Sequence, residues 1–146
     1  MIRLAAELFA GQWHLGRRIE DALGAQSGRF DGMATFSPTG TGLHYVEQGT
    51  LTLDAGGRFA AERAYLWRFA AGRVEVAFDD GRPFHSFGVD GAGTDHPCGA
   101  DHYRVRYDFG GWPLWRARWT VSGPKKSYVS DTTYSPRPLR TGAERA

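Results

Sequence analysis

Residues 59–69 read FAAERAYLWRF. In an extended chain, side chains point alternately to opposite faces. Phe59, Ala61, Arg63, Tyr65, Trp67 and Phe69 therefore share one face. A mostly aromatic row of this length marks the longest strand of a β-protein, and it carries one arginine in its middle. The same alternation recurs on both sides of it. Upstream, Trp13, Leu15, Arg17 and Ile19 form one row, Phe30, Gly32, Ala34 and Phe36 a second, and Leu43, Tyr45, Glu47, Gly49 and Leu51 a third. Downstream come Val74, Val76 and Phe78, then alternating segments at 82–89, 103–109, 114–121 and 128–134. Turns such as AGGR (55–58), AAGR (70–73) and DDGR (79–82) separate them. That spacing predicts roughly eight to ten strands joined by hairpins.

The connections are too short for crossover helices, so the sheet is expected to be antiparallel. Residues 2–9 predict the one helix, with Leu4, Ala5, Leu8 and Phe9 as its apolar stripe and Gly11 as its stop. A short helix followed by a long meander predicts closure into an up-and-down barrel, which removes exposed edges; a two-sheet sandwich is the competing arrangement. The expected layout is a single barrel domain over 1–135 and a flexible tail over 136–146, where PRPLRTGAERA lacks alternation.

The 146 residues suit one domain, and 41% hydrophobic with 14% aromatic content excludes a disordered chain. Lysine plus arginine total 18 against 16 acidic residues, a net charge of +2, too near neutral for a dedicated nucleic-acid binder. The only lysines are Lys125 and Lys126, so arginine dominates the cations, and arginine suits carboxylate pairing and stacking on rings. One cysteine cannot form an internal disulfide, which favours a reducing compartment. The N-terminal apolar run is too short for a signal peptide, and no run reaches the length of a membrane span. A soluble cytoplasmic protein is expected, with no nucleic-acid or membrane partner and an open oligomeric state.

If the aromatic faces point inward, Glu47 and Arg63 lie inside the barrel, where a charge is costly unless paired. Each is then the candidate partner of the other. They form either an ion pair that fixes strand register or the polar floor of a pocket, where Arg63 meets an anion and Glu47 orients it or moves a proton. Tyr45, Tyr65, Trp67, Tyr103, Tyr107 and Trp119 are candidate ligand-lining aromatics, although most aromatics in a β-protein are core. His85 follows an apolar face behind Pro83 and is a second candidate proton carrier. Lys125 and Lys126 follow the tight turn at Gly123-Pro124, so one of them can face the barrel mouth.

The stretch 95–103, DHPCGADHY, sets His96, Cys98 and His102 in the order H-x-C-x3-H, with His85 or Asp101 available as a fourth zinc ligand. The spacing matches no zinc-finger pattern. Turn residues dominate it, so it reads first as a loop that shapes one end of the barrel and brings His96 to the cavity mouth. No metal is assigned and the cofactor is left open.

Gly11-Gln12-Trp13 resembles the G-x-W start of the calycin superfamily, lipocalins and fatty-acid-binding proteins among them. That resemblance implies a tryptophan at the closed end, packed on a late-strand cation, with Arg116, Arg118 or Lys126 in that part here. The wider pattern over about 11–135 resembles an uncharacterised family, a domain-of-unknown-function group of bacterial and fungal proteins. Its recurring elements fall on Trp13, Arg17, Tyr45, Glu47, Gly49, Arg63, Tyr65, Trp67, Arg82, Pro83, Phe84, His85, His96, Cys98, Asp101, Tyr103, Tyr107, Trp119, Pro124 and Lys126, with Ala100 and Ser127 as departures. The leading expectation is a barrel that holds a small, partly apolar and anionic molecule inside. A lyase is the alternative: inward Tyr, Arg and Glu resemble those of phenolic-acid decarboxylases, with Arg63 on a carboxylate and Tyr45, Glu47 and His85 in acid–base roles. A haem- or metal-binding barrel, through His85 or His96, is the third.

Overall fold

The computed structural model describes residues 2–23, 26–93 and 100–138, and the main chain alone for 96–98. Among them lie one helix, α1 (Ala6–Phe9), and ten strands: β1 (Gly11–Asp21), β2 (Gly28–Pro38), β3 (Gly42–Leu53), β4 (Arg58–Ala70), β5 (Arg73–Phe78), β6 (Pro83–Gly88), β7 (His96–Cys98), β8 (Asp101–Asp108), β9 (Trp115–Ser122) and β10 (Ser127–Ser135). The sheet order is β6-β5-β4-β3-β2-β1-β10-β9-β8-β7, antiparallel throughout. The long strands form a nearly closed up-and-down barrel, consistent with a lipocalin-like architecture, and the sandwich alternative falls away. None of the described helices is long and apolar enough to cross a membrane.

Closure has an unusual seam. The first and last strands pair along eight residues, Arg17 opposite Thr132 among them, so the gap falls instead between β6 and β8. The extended piece at 91–93 fills it. Phe87 bridges Gly93, Ala92 bridges Arg106, and the Tyr107 amide donates to the Gly91 carbonyl at 2.7 Å. Gly91 has φ +84°, and a Cβ there would overlap the Tyr107 carbonyl oxygen. Only glycine meets both conditions.

One end of the barrel is shut by aromatic packing. Phe9 is fully buried, and its ring meets Trp67, Trp112 and Trp115 at centroid distances of 5.4, 5.1 and 5.4 Å. The Trp13 indole N–H donates to the Phe9 carbonyl at 2.8 Å, so the first inward residue of β1 latches the end of the helix. Its ring packs on Trp112 and Trp115. The cation expected beside Trp13 is not there. Arg118 faces Asp131 on the outside, Arg116 is exposed, and Lys126 reaches Asp101 near the other end.

The helix is shorter than the expected 2–9. Ala5 is extended at φ −141°, ψ 144°, and no side chain caps the first turn. Ile2 and Leu4 pack on the core from outside the helix, so no helical stripe is needed to bury them. The stretch expected as a loop at 95–103 includes a hairpin instead, with His96–Cys98 paired to Asp101–Tyr103. Of the expected tail, residues 139–146 lie outside the described residues.

Gly91→Ala is expected to cost about 1–3 kcal/mol, the range for forcing a side chain into strained backbone. Urea unfolding followed by far-UV circular dichroism measures it. An unchanged midpoint would mean that the seam is not held as described.

Candidate functional site

Directly beyond the aromatic plug the barrel changes character. Arg17, Glu47 and Thr132 project inward from β1, β3 and β10, and all three are buried. Arg17 Nη1 and Nη2 donate to Glu47 Oε2 and Oε1 at 2.7 and 2.8 Å, and Arg17 Nε donates to Thr132 Oγ1 at 2.7 Å. The Tyr45 hydroxyl donates to Glu47 Oε1 at 2.5 Å. Its oxygen lies 2.8 Å from the Tyr134 hydroxyl, which donates to it in turn. The fork-on-carboxylate geometry is the strongest form of such a pair.

Arg63 and Glu47 are register partners across β3 and β4, as the alternation implied. Their contact is nonetheless the weaker one, Arg63 Nε to Glu47 Oε2 at 3.4 Å. Arg63 also reaches the Tyr65 hydroxyl at 3.5 Å and lies 5.7 Å from the centre of the Trp119 ring. Its side chain is 44% exposed, against 2% for Glu47. Arg63 thus stands on the solvent side of the layer.

His85 pairs with Val76 and shares the inward parity of Phe87, and a bulge sends Phe84 in beside it. The β5–β6 register shifts between Val76 and Ala77, and Phe84 and His85 are both buried. His85 Nε2 lies 3.0 Å from the Tyr107 hydroxyl, and the imidazole packs edge-on to Phe84 at 4.6 Å. The Tyr107 ring is stacked on Phe87 at 3.8 Å.

One small void ties these groups together. It is lined by Tyr45, Glu47, Tyr65, Trp67, His85, Tyr107 and Trp119, all candidates from the sequence, by Arg17 and Val76, which the alternation placed in apolar rows without a site role, and by Ala117, Thr132 and Tyr134. Its volume is about 20 Å³, room for a single water molecule. Aromatic side chains occupy most of the space in which a ligand deep inside was expected. A larger concavity, about 930 Å³, is an open groove against the β4–β6 wall with Leu66, Arg68, Glu75 and Ser86 along it, and it shares Trp67, Val76 and His85 with the lining of the void. Tyr103 lies nearer the open end, its ring 5.5 Å from Phe84 and 6.4 Å from Trp119. The side chains of His96 and Cys98 lie outside the described residues. His102 is exposed on the outer face, away from the buried His85, and among the described residues no group of three His, Cys, Asp or Glu could hold a metal.

The electrostatics follow from burial and pairing. Burial alone would push the Glu47 carboxyl up. The Arg17 hydrogen bonds and charge, with help from Arg63 and Tyr45, outweigh it and hold the carboxyl below its ordinary value. Burial raises Tyr45 and Tyr107 well above the ordinary phenol, and Tyr134 to about 12. The layer is therefore one carboxylate, two guanidinium ions and neutral phenols. Two positive charges against one negative leave it with an excess of one.

Residues 9–136 match the model of a family of unknown function (DUF6314), and the chain belongs to that family. A comparison with curated proteins finds no match.

Glu47→Gln strands a buried guanidinium and is expected to cost about 3–5 kcal/mol, whereas Arg17→Met with Glu47→Leu removes both charges and is expected to recover most of that. Equilibrium denaturation of the three proteins decides it; a double variant no better than Glu47→Gln would refute the account. Because the carboxyl is depressed in the folded state, its contribution is present above the ordinary carboxylate value of about 4.3 and is lost as pH falls through the lower, folded value. An acid unfolding profile identical in wild type and double variant would also contradict it.

Proposed function

We propose that this protein binds a small aromatic anion at the open end of its barrel, with Arg63 receiving the anionic group. The carrying observation is the excess positive charge of the Arg17–Glu47–Arg63 layer, presented to solvent by Arg63 alone. Arg17 is spent on Glu47 and Thr132. Arg63 meets protein acceptors only at 3.4 and 3.5 Å among the contacts above, so much of its five-donor guanidinium is open to a carboxylate. Trp119, Tyr65 and Tyr103, each partly exposed, offer flat surface beside it for a ring. The void of about 20 Å³ argues that the ligand rests on the layer rather than passing through it.

The capping helix, the Gly11-Gln12-Trp13 start and the up-and-down strand order support a lipocalin-like reading of the barrel, a fold suited to carrying one small molecule. The single cysteine favours a reducing, cytoplasmic setting. Proton transfer by Glu47 is less well supported. Its oxygens already accept from Arg17 and Tyr45, Arg63 stands 3.4 Å away, and its basicity is lowered. A haem reading is also less well supported, since His85 is buried and its Nε2 is engaged by the Tyr107 hydroxyl at 3.0 Å.

Benzoate and its neutral isostere benzamide test this reading by isothermal titration and by quenching of tryptophan fluorescence. Benzoate is expected to bind more tightly than benzamide, and Arg63→Gln to weaken benzoate by about tenfold or more while leaving benzamide unchanged. Equal affinity of the two probes, or an unaffected Arg63→Gln variant, would overturn it.

A further inference from the structure

The rim of the open end carries a second polar cluster that the layer below does not use. Tyr103 on β8 and Tyr128 on β10 both lie opposite Val121 on β9, one on each side. All three keep the inward parity of Trp119, whose own partners are Val105 and Ser130. The β9–β10 turn then brings Lys126 over them. That turn is closed by the Gly123 amide donating to the Lys126 carbonyl at 2.8 Å. Lys126 Nζ stands 3.4 Å from Asp101 Oδ2 at the start of β8.

Gly123 makes this possible. A Cβ at that position would overlap Asp101 Oδ1, so the carboxylate occupies the space that a side chain would take. Asp101 is thereby pinned beside the turn, with Lys126 next to it. The charges are coupled as this arrangement requires. Tyr103 and then Asp101 hold the Lys126 ammonium above its ordinary value. Burial, then Tyr103, raises Tyr128 to about 12, and Arg63 pulls it the other way. Arg63 and Lys126 thus act on the same tyrosine. Trp119 adjoins both Arg63 and Tyr103, with the guanidinium 5.7 Å from its ring and the Tyr103 ring 6.4 Å away.

We infer that the open end is a two-point site for an elongated aromatic dianion, with Arg63 holding one anionic group, Trp119 the ring, and Lys126, positioned by Asp101, the far group. This rests on the proposed binding of an aromatic anion at Arg63 and adds what that reading lacks, a second recognition point. Lys126 is half exposed, and its ammonium has three donors. Asp101 takes one at long range, which orients the group without using it up.

The probes are benzoate, terephthalate and biphenyl dicarboxylate, titrated calorimetrically against wild type, Arg63→Gln, Lys126→Met and Gly123→Ala, with circular dichroism to establish that each variant is folded. At least one dicarboxylate is expected to bind about tenfold more tightly than benzoate. Arg63→Gln is expected to weaken every probe. Lys126→Met, and Gly123→Ala through displacement of Asp101, are expected to remove the dicarboxylate advantage and leave benzoate within about twofold. Dicarboxylates no better than benzoate, or an advantage that survives Lys126→Met, overturn this inference and leave the Arg63 reading standing. If no probe binds wild type, the Arg63 reading and the two-point site both fail.

Discussion

A guanidinium sealed inside a small barrel sets the terms for everything around it. Removing Arg17 from water costs several kcal/mol, and the cost is tolerable only if a carboxylate meets it with good geometry and other acceptors satisfy what remains. Glu47 provides the first and Thr132 the second. Arg17 sits on β1 and Glu47 on β3, so the pair spans β2. That reach depends on β2 offering only Gly32 and Ala34 on its inward face between Phe30 and Phe36. Gly32 faces Gly49 in the next strand, and a Cβ on either would overlap the carbonyl of the strand opposite. Larger residues there would separate the strands and block the guanidinium. Thr132 is the direct partner of Arg17 on β10, so one side chain ties the closing pair of strands to β3. A one-residue slip of β3 would turn Glu47 outward and strand the charge. The ion pair is thus also a register pin.

The same pair decides how the rest of the interior divides. Glu47 gives its best lone pairs to Arg17 and Tyr45, so Arg63 is held near the carboxylate but not on it. Below the layer, the Phe9–Trp13–Trp115 end is apolar and shut. Above it, partly exposed aromatics surround one incompletely paired cation. The Tyr45–Tyr134 hydroxyl pair links the two regions and stays protonated, because phenols in this setting resist ionisation. The layer is a rigid platform, with each polar atom aimed by a packed neighbour.

Alternation along 59–69 and its companions was enough to read Tyr65 and Trp67 as inward with Arg63 in their row, whereas Phe59 and Ala61 of the same row are exposed, where β4 runs beyond its pairing with β5. It placed Tyr45, Glu47 and Trp119 correctly and paired Glu47 with Arg63 in register. It could not rank the partners of Glu47. Arg17 shares the inward parity of Trp13 and Leu15, but its reach across β2 depends on barrel curvature and on the small residues of that strand. His85 was legible from its shared parity with Phe87, whereas the inward Phe84 was not, since the bulge after Val76 lets it go in beside His85 and breaks the two-residue rule. The β7 strand was hidden because three residues between turns carry no measurable period. Capacity was misread for a simpler reason. Aromatic rows line a cavity or fill it, and the sum of their volumes over a closed circumference decides which.

A filled barrel changes what the aromatic rows are for. With room for one water, they fill the interior, and Trp119 packs against both Tyr65 and Tyr103. That packing bears on Arg63. A free arginine on a surface pays rotamer entropy whenever it binds an anion. Here the Trp119 ring lies 5.7 Å from the guanidinium, and Glu47 and Tyr65 contact it from one side, so part of the rotamer freedom of Arg63 is already given up in the fold. The carboxylate that lowers the charge of the layer also aims the cation that remains. An isolated Arg63 would be more positive and less directed; a fully paired one would be directed but neutralised. The long 3.4 Å contact keeps both direction and charge, and the prior claim of Arg17 on Glu47 is what keeps that contact long.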